Sequence, residues 1–383
     1  MKRRDLLKIA AAAGATASFG RAATVGAAQP FLDAPGRGRN DEDYIIVNGL
    51  DVSTPQESYI PLLKAGGVDC WYTSYGGVNA IGGILALIDD HKSELVAATT
   101  VREIRAAYQQ KKISILFGSQ ASDMLEDPAD TLSGAVGAAL RKSTGPSPLR
   151  AALRGHYELG LRILGIAYNL PNAFGSGNFF PYMGLTTAGR QLVEEIHRLK
   201  IILDVGGHTG EQTSLDAIAM SPGVPVICSH TNIQSIADNP RNISDRLIDA
   251  IAKTGGVIGL TAVNDFHVRT KKDMNVAHSP RMNVEHYLDQ MEYLKKRVGV
   301  DHIGIGPDFV EGRKLDYDAL NRTPSINRMI ISDGPWLYIE GFQKISELPN
   351  VIRGLERRGW PRADIVKVMG ENWLRVYQAV WGE

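Results

Sequence analysis

Residues 184–261 read GLTTAGRQLVEEIHRLK, IILDVGGHTGEQTSLDAIAMSPG, VPVICSHTNIQSIADNPRN, ISDRLIDAIAKTGG, VIGLT. Three short apolar runs, Ile201–Val205, Val224–Cys228 and Val257–Thr261, alternate with segments of helical period. Strands separated by helices at this spacing predict a parallel sheet built from βα units. A histidine stands past each of the first two runs: His208 after LDVGG and His230 after VICS. In an eight-stranded βα barrel the C-terminal strand ends form the face where chemistry is done, so both are candidates for it. Two neutral imidazoles on successive strand ends can converge on one metal ion, and each can equally be a hydrogen-bonding residue at a loop start.

Outward from this stretch the same alternation continues. Tyr44–Val47, Gly67–Ser74, Ile113–Phe117, Leu161–Tyr168 and His302–Gly306 read as further strands. Ser58–Ala65, Ala80–His91, Thr100–Lys111, Val284–Val298, Leu348–Arg358 and Ala363–Trp381 read as helices, and Pro128–Arg154 as helix, loop, helix. Asn264–Arg281 reads as a charged, loop-like excursion and Leu320–Glu340 as weakly periodic. About eight strand-like runs in one chain predict a single (β/α)8 TIM-like barrel. The expected domain limits are 30–383.

The chain has 383 residues and is 44% hydrophobic, enough for one large core. Its 42 basic and 42 acidic side chains balance, which argues against nucleic acid or an anionic membrane as the main partner. The two cysteines, Cys70 and Cys228, lie in apolar, strand-like contexts and are expected to be buried thiols. Residues 1–29 read as an export signal: MKRRDLLK carries Arg3 and Arg4, an alanine-rich apolar run covers Ile9–Phe19, and small residues near Ala27 and Ala28 suit a cleavage site. The paired arginines resemble the twin-arginine type, with a general secretory signal that happens to carry two arginines as the alternative. The expected location is therefore periplasmic or secreted, with no membrane span in the mature chain.

Three more residues stand where chemistry is expected. Asp308 follows a strand-like run and opens DFVEG, where a carboxylate can shuttle a proton or bind a metal, or cap the turn. Arg241, in NPRN, can hold a carboxylate through its planar fork or form an ion pair. Tyr168 ends a strand and can present a hydroxyl to a carbonyl oxygen or simply pack. Asp204 and His302 read as structural. No GxSxG, Walker A loop, dinucleotide fingerprint or HExxH occurs.

Five blocks in order then resemble the membrane dipeptidase family, peptidase family M19, whose fold is an amidohydrolase-like barrel of the metal-dependent hydrolase type. They are LRILGIAYNLPNAFGSG (161–177), GLTTAGRQLVEEIHRLKIILDVGGH (184–208), PVICSHTNIQSIADNPRNISD (225–245), HIGIGPDFVEG (302–312) and ISELPNVIRGLERRGWPRADIVKVMGENWLRVY (345–377). The resemblance implies an exported dipeptidase-like metallohydrolase that cleaves a dipeptide or related small amide with metal-activated water. It also allows a homodimer.

The family holds two zinc ions with an HxD pair on the first strand, a bridging Glu on the third, and a His after each of the fourth and fifth. A late Asp moves protons, an Arg binds the substrate carboxylate, and a His polarises the peptide carbonyl. Carried over, the fifth-strand His is His230, the Arg is Arg241 and the late Asp is Asp308. The fourth-strand His is His208 if one residue is inserted, or else Gly207. The HxD falls on Leu50 and Val52 without a gap, or on Asp51 and Ser53 with a shift. The bridging Glu falls on Gln120, and the polarising His on Tyr168. Gln keeps the shape and loses the charge that two divalent ions need between them. One zinc on His208 and His230, with Asp51 or Asp308, is then an alternative to two, as is an empty site. A metal-poor barrel with altered chemistry (lyase, isomerase or maturation enzyme), or a binder of small carboxylates, stands beside the hydrolase.

Overall fold

The computed structural model of the chain describes residues 43–126, 147–268, 280–312 and 337–382. The expected export signal, residues 127–146 of the helix–loop–helix segment, residues 269–279 of the charged excursion and residues 313–336 of the weakly periodic segment lie outside the described residues.

Nine parallel strands form one sheet: β1 (Val47–Asp51), β2 (Cys70–Ser74), β3 (Leu95–Ala97), β4 (Ile113–Ser119), β5 (Leu161–Gly165), β6 (Ile202–Asp204), β7 (Ile227–Thr231), β8 (Val257–Leu260) and β9 (Ile303–Ile305). Eight follow one another in the order β1-β2-β4-β5-β6-β7-β8-β9. The ends of β1 and β9 meet through backbone bonds: Val52 N–H donates to Phe309 O at 3.0 Å and Asp308 N–H to Leu50 O at 3.2 Å. The chain is thus the expected eight-stranded barrel. β3 stands off this path, pairing with the lower half of β4, whose upper half pairs with β5. The sequence reading missed β3 because three residues in ELVAA are too short to show a period.

The strands are buried on both faces, and period two decides which face each residue serves. Ile45, Val47, Cys70, Tyr72, Leu116, Ile163, Ile202, Ile227 and Val257 form one core with Trp373 and Tyr377 of the C-terminal helix. Their neighbours Ile46, Trp71, Ile115, Phe117, Leu164, Leu203 and Ile258 join the larger core, which includes buried residues of the other helices. The Trp373 indole lies so close to the sheet that a Cβ added to Gly304 or Gly49 would fall within 2.5 or 2.3 Å of it. This helix, Asn372–Trp381, is continuous with Arg362–Val366 through one wide π turn, Lys367–Glu371, where a single helix was expected.

Two local differences matter. The strand expected at Val224–Cys228 pairs instead over Ile227–Thr231. Gly223 turns the chain at φ 74° and Pro225 has no N–H to give, so the ladder starts late and His230 lies within the strand. Asp204 accepts from the Ser229 N–H at 2.8 Å, tying β6 to β7 as expected of a structural carboxylate. His302 Nδ1 meets Gly256 O at 2.8 Å, also a structural role. Both cysteines are free and buried.

Candidate active site

A pocket of about 730 Å³ opens at the C-terminal ends of the strands, a volume that suits a small ligand. Its lining samples most strand ends: Val52 past β1, Tyr75 past β2, Gln120 past β4, Tyr168 past β5, His208 past β6 and Asp308 past β9. Arg241 enters from the loop after β7. Five residues read from the sequence, Gln120, Tyr168, His208, Arg241 and Asp308, therefore line one pocket, and His230 is not among its lining residues.

His208 is the hub. Tyr168 stacks on its ring, centroids 3.8 Å apart and planes 22° apart. Its Nδ1 meets Asn169 Oδ1 at 2.7 Å, so Nδ1 carries the proton, and its Nε2 accepts from Arg241 Nη2 at 3.2 Å. Both nitrogens are thereby engaged. Burial, then the Arg241 charge, then His230, hold the His208 pKa well below the ordinary imidazole value, so the ring is neutral. His230 lies 4.9 Å away, ring to ring. Its Nδ1 meets Ser229 Oγ at 2.7 Å and its buried Nε2 has no partner. Burial and Arg241 keep it neutral too.

Arg241 is 2% exposed, which is unusual for a charged side chain. Phe266 lies beneath the guanidinium, 5.2 Å from ring centroid to Cζ. Its N–H is anchored by Asn239 Oδ1 at 2.9 Å, and its carbonyl by Thr231 Oγ1 at 3.0 Å. Burial pulls its pKa down, while Asp308 is first among the groups that hold it up. Nη1 is buried without a partner. A buried guanidinium N–H without an acceptor is costly. The Gln120 Nε2 is buried and unpartnered as well.

Asp308 holds a left-handed backbone at φ 61°, a conformation that costs a non-glycine residue roughly 1–3 kcal/mol. The Tyr338 hydroxyl and the Leu50 carbonyl grip its carbonyl and N–H, fixing the turn that sets the carboxylate on the pocket wall.

The zinc positions fare differently. Leu50 is fully buried in the core, Val52 lines the pocket, and neither Asp51 nor Ser53 is among the lining residues. Asp51, expected as a metal ligand, is instead spent within the fold. Its Oδ1 accepts from Ser53 N–H at 2.7 Å, and its Oδ2 from Asn48 Nδ2 at 3.0 Å and from the Tyr59 hydroxyl. Burial raises its pKa to about 6. Gly207, at φ 61°, sits where a Cβ would lie 3.7 Å from His230 Cε1 and 3.3 Å from Arg241 Nη1. The space that a side chain at 207 would enter is closed by the His230 carbonyl, 2.6 Å from that Cβ, and bounded by the guanidinium. Among the described residues no three of His, Cys, Asp or Glu are grouped to hold a metal ion. His208 and His230 converge as expected, but the donor set does not fit zinc: an ion on His208 Nε2 must first displace a cation.

Sequence reasoning missed Asn169, which fixes the His208 tautomer, and Phe266, which carries Arg241. Asn169 follows Tyr168 directly and stands at φ 60°, so the strand-end rule that picked out Tyr168 could have reached it. Phe266 lies in a segment whose composition signals only a loop.

A model of the membrane dipeptidase family (peptidase family M19) matches residues 78–381. Dipeptidase tcpJ of Claviceps purpurea (strain 20.1) is 27% identical over 233 residues, 60% of this chain and 47% of that protein. The chain thus spans about half the length of that curated relative. A solved amidohydrolase from Pseudomonas aeruginosa superposes with a TM-score of 0.74 at 29% identity, covering 89% of this chain and 98% of that one. A metallo peptidase from Rhodobacter sphaeroides, solved with a phosphinate mimic of the dipeptide L-Ala-D-Ala, superposes at 0.65 with 20% identity, over 88% and 100% of the two chains. That likeness shows the barrel fold. Among the described residues no helix is long and apolar enough to cross a membrane.

Proposed function

We propose, from the premise that the chain belongs to the membrane dipeptidase family, peptidase family M19, that it hydrolyses a small amide carrying a free carboxylate, of dipeptide size, after export by the twin-arginine route. The observation that carries this reading is Arg241: a buried guanidinium with an unpartnered Nη1, on the lining of a pocket that Asp308 also lines. A planar fork of this kind recognises carboxylate through paired charge-assisted bonds. The dipeptide mimic bound by the Rhodobacter sphaeroides relative has the size and the charge that the pocket suits.

Family membership implies a metal ion, typically zinc, which would polarise the carbonyl and activate water. The donor set described above does not fit it, and the steps open to this chain's own residues are these. Arg241 binds and orients the carboxylate. Asp308 accepts the proton of a water that attacks the amide carbon, then returns a proton to the leaving nitrogen as the C–N bond breaks. The Tyr168 hydroxyl, on a ring held by His208, donates to the carbonyl oxygen. Stacking on His208 and the Asn169 bond behind it set the angle of that ring.

A panel of dipeptides, N-acyl amino acids and their C-terminal amides, assayed by amine release with the mature protein, tests this. Turnover of free-carboxylate substrates and none of the amides is the expected result. Equal turnover of both would remove Arg241 from its role, and no release from any would remove the hydrolase.

A further inference from the structure

We infer that the floor of this pocket is an anion receptor in place of a metal centre, with Arg241 as its cationic core and a carboxylate or carbonyl oxygen as its ligand. The inference rests on the carboxylate reading of Arg241 and adds to it that the site works without a resident metal ion.

Three observations carry it. The first is what the pocket floor offers. A cation needs lone pairs, and an anion needs N–H groups. The His208 Nε2 lone pair is taken by Arg241 Nη2 at 3.2 Å. The buried atoms left over include Arg241 Nη1 and Gln120 Nε2, both of which can only donate. The His230 Nε2, on the ring beside His208, is buried and unpartnered as well. The second is charge. Two divalent ions need carboxylates between them, and the described positions present Gln120, Val52 and Leu50. The carboxylate nearest in sequence, Asp51, is saturated by Ser53, Asn48 and Tyr59. The third is space. A Cβ at Gly207 would lie 2.6 Å from the His230 carbonyl, so a ligating side chain has no room at that position, and the guanidinium lies alongside. These changes act together. Removing one metal ligand leaves a weakened metal site, whereas here the first-strand and bridging positions offer no free carboxylate and the guanidinium occupies the His208 Nε2 lone pair.

The test uses the mature protein. It is stripped with chelator, offered excess zinc, desalted, and analysed for zinc, while its thermal midpoint is followed with zinc alone, with L-Ala-D-Ala alone and with acetate alone. The expected result is under about a tenth of a zinc ion per chain, no upward shift with zinc, and an upward shift with the dipeptide that chelator does not abolish. One or more zinc ions retained per chain, with a raised midpoint, overturns the inference. If zinc is not retained and the dipeptide has no effect while acetate does, the anion receptor stands and the dipeptide reading fails. If neither anion has an effect, the receptor itself is refuted. Arg241→Lys and Arg241→Met, checked for native circular dichroism, extend the test. Both should bind the dipeptide at least about tenfold more weakly, since the fork is lost in each. Unchanged affinity in a folded variant would also overturn the assignment.

Discussion

The guanidinium of Arg241 donates through Nη2 to Nε2 of His208 at 3.2 Å, while the His208 Nδ1 proton is held by Asn169. The Nε2 lone pair of His208 thus serves to aim a cation. The ring in turn stacks on Tyr168, so one contact couples the guanidinium to the ring whose hydroxyl is proposed to meet the substrate carbonyl.

Asp308 is the proton acceptor in the proposed reaction. Asn has the same shape and tolerates the left-handed backbone at φ 61°, so Asp308→Asn should fold normally. Its kcat should fall by about 10²- to 10⁴-fold with a smaller change in KM. Steady-state kinetics on a free-carboxylate dipeptide checks this, and an unchanged kcat would remove the base.

Gly207 tests how tightly the floor of backbone around His230 is built. Gly207→Ala combines a left-handed backbone with a Cβ 2.6 Å from the His230 carbonyl, and should destabilise by about 2–4 kcal/mol. Gly223→Ala has a similar φ of 74° but open space around the new methyl, and should cost about 1–2 kcal/mol. Denaturant unfolding of both variants separates conformational strain from the clash. Equal costs would mean that the floor yields.

Asp204 sets a pH dependence. Burial raises its pKa to about 7, against 3.8 for the free side chain, with the Ser229 N–H bond opposing. Between those values the folded state binds more protons than the unfolded one, so this group's contribution to stability falls as pH rises from 4 to 7. The buried, neutral His208 and His230 act in the opposite sense below about pH 6.5, where the unfolded chain takes up protons first. Comparing Asp204→Asn with the parent cancels the histidines. The variant should gain on the parent by up to about 4 kcal/mol from pH 4 to 7, read by unfolding at each pH. A constant difference across that range would place the Asp204 pKa near its ordinary value.

The barrel was legible because each βα unit repeats the same signal: a short apolar run, then helical period. Ile201–Val205 and Val257–Thr261 were placed to within a residue or so of β6 and β8. β7 was read early because Val224 and Val226 look like strand, and only the pairing reveals that Pro225 postpones the ladder. In the site, the strand-end rule found His208, His230, Tyr168 and Asp308, because position along a strand is local information. The fate of Asp51 turns on partners two, three and eight residues away, whose hydrogen bonds no strand or motif signal announces. A carboxylate beside a lost HxD motif reads as a replacement ligand, and only the fold brings Tyr59 and Asn48 onto it. The same holds for Arg241, whose contact with His208 spans 33 residues.

The account depends most on what occupies the space before Arg241 Nη1 and His230 Nε2. A crystal of the mature protein, soaked in zinc and L-Ala-D-Ala and measured across the zinc absorption edge, addresses it directly. The prediction is a carboxylate on Arg241 Nη1 with no anomalous peak between His208 and His230. A zinc peak bonded to those two nitrogens, with the guanidinium swung aside, would contradict it.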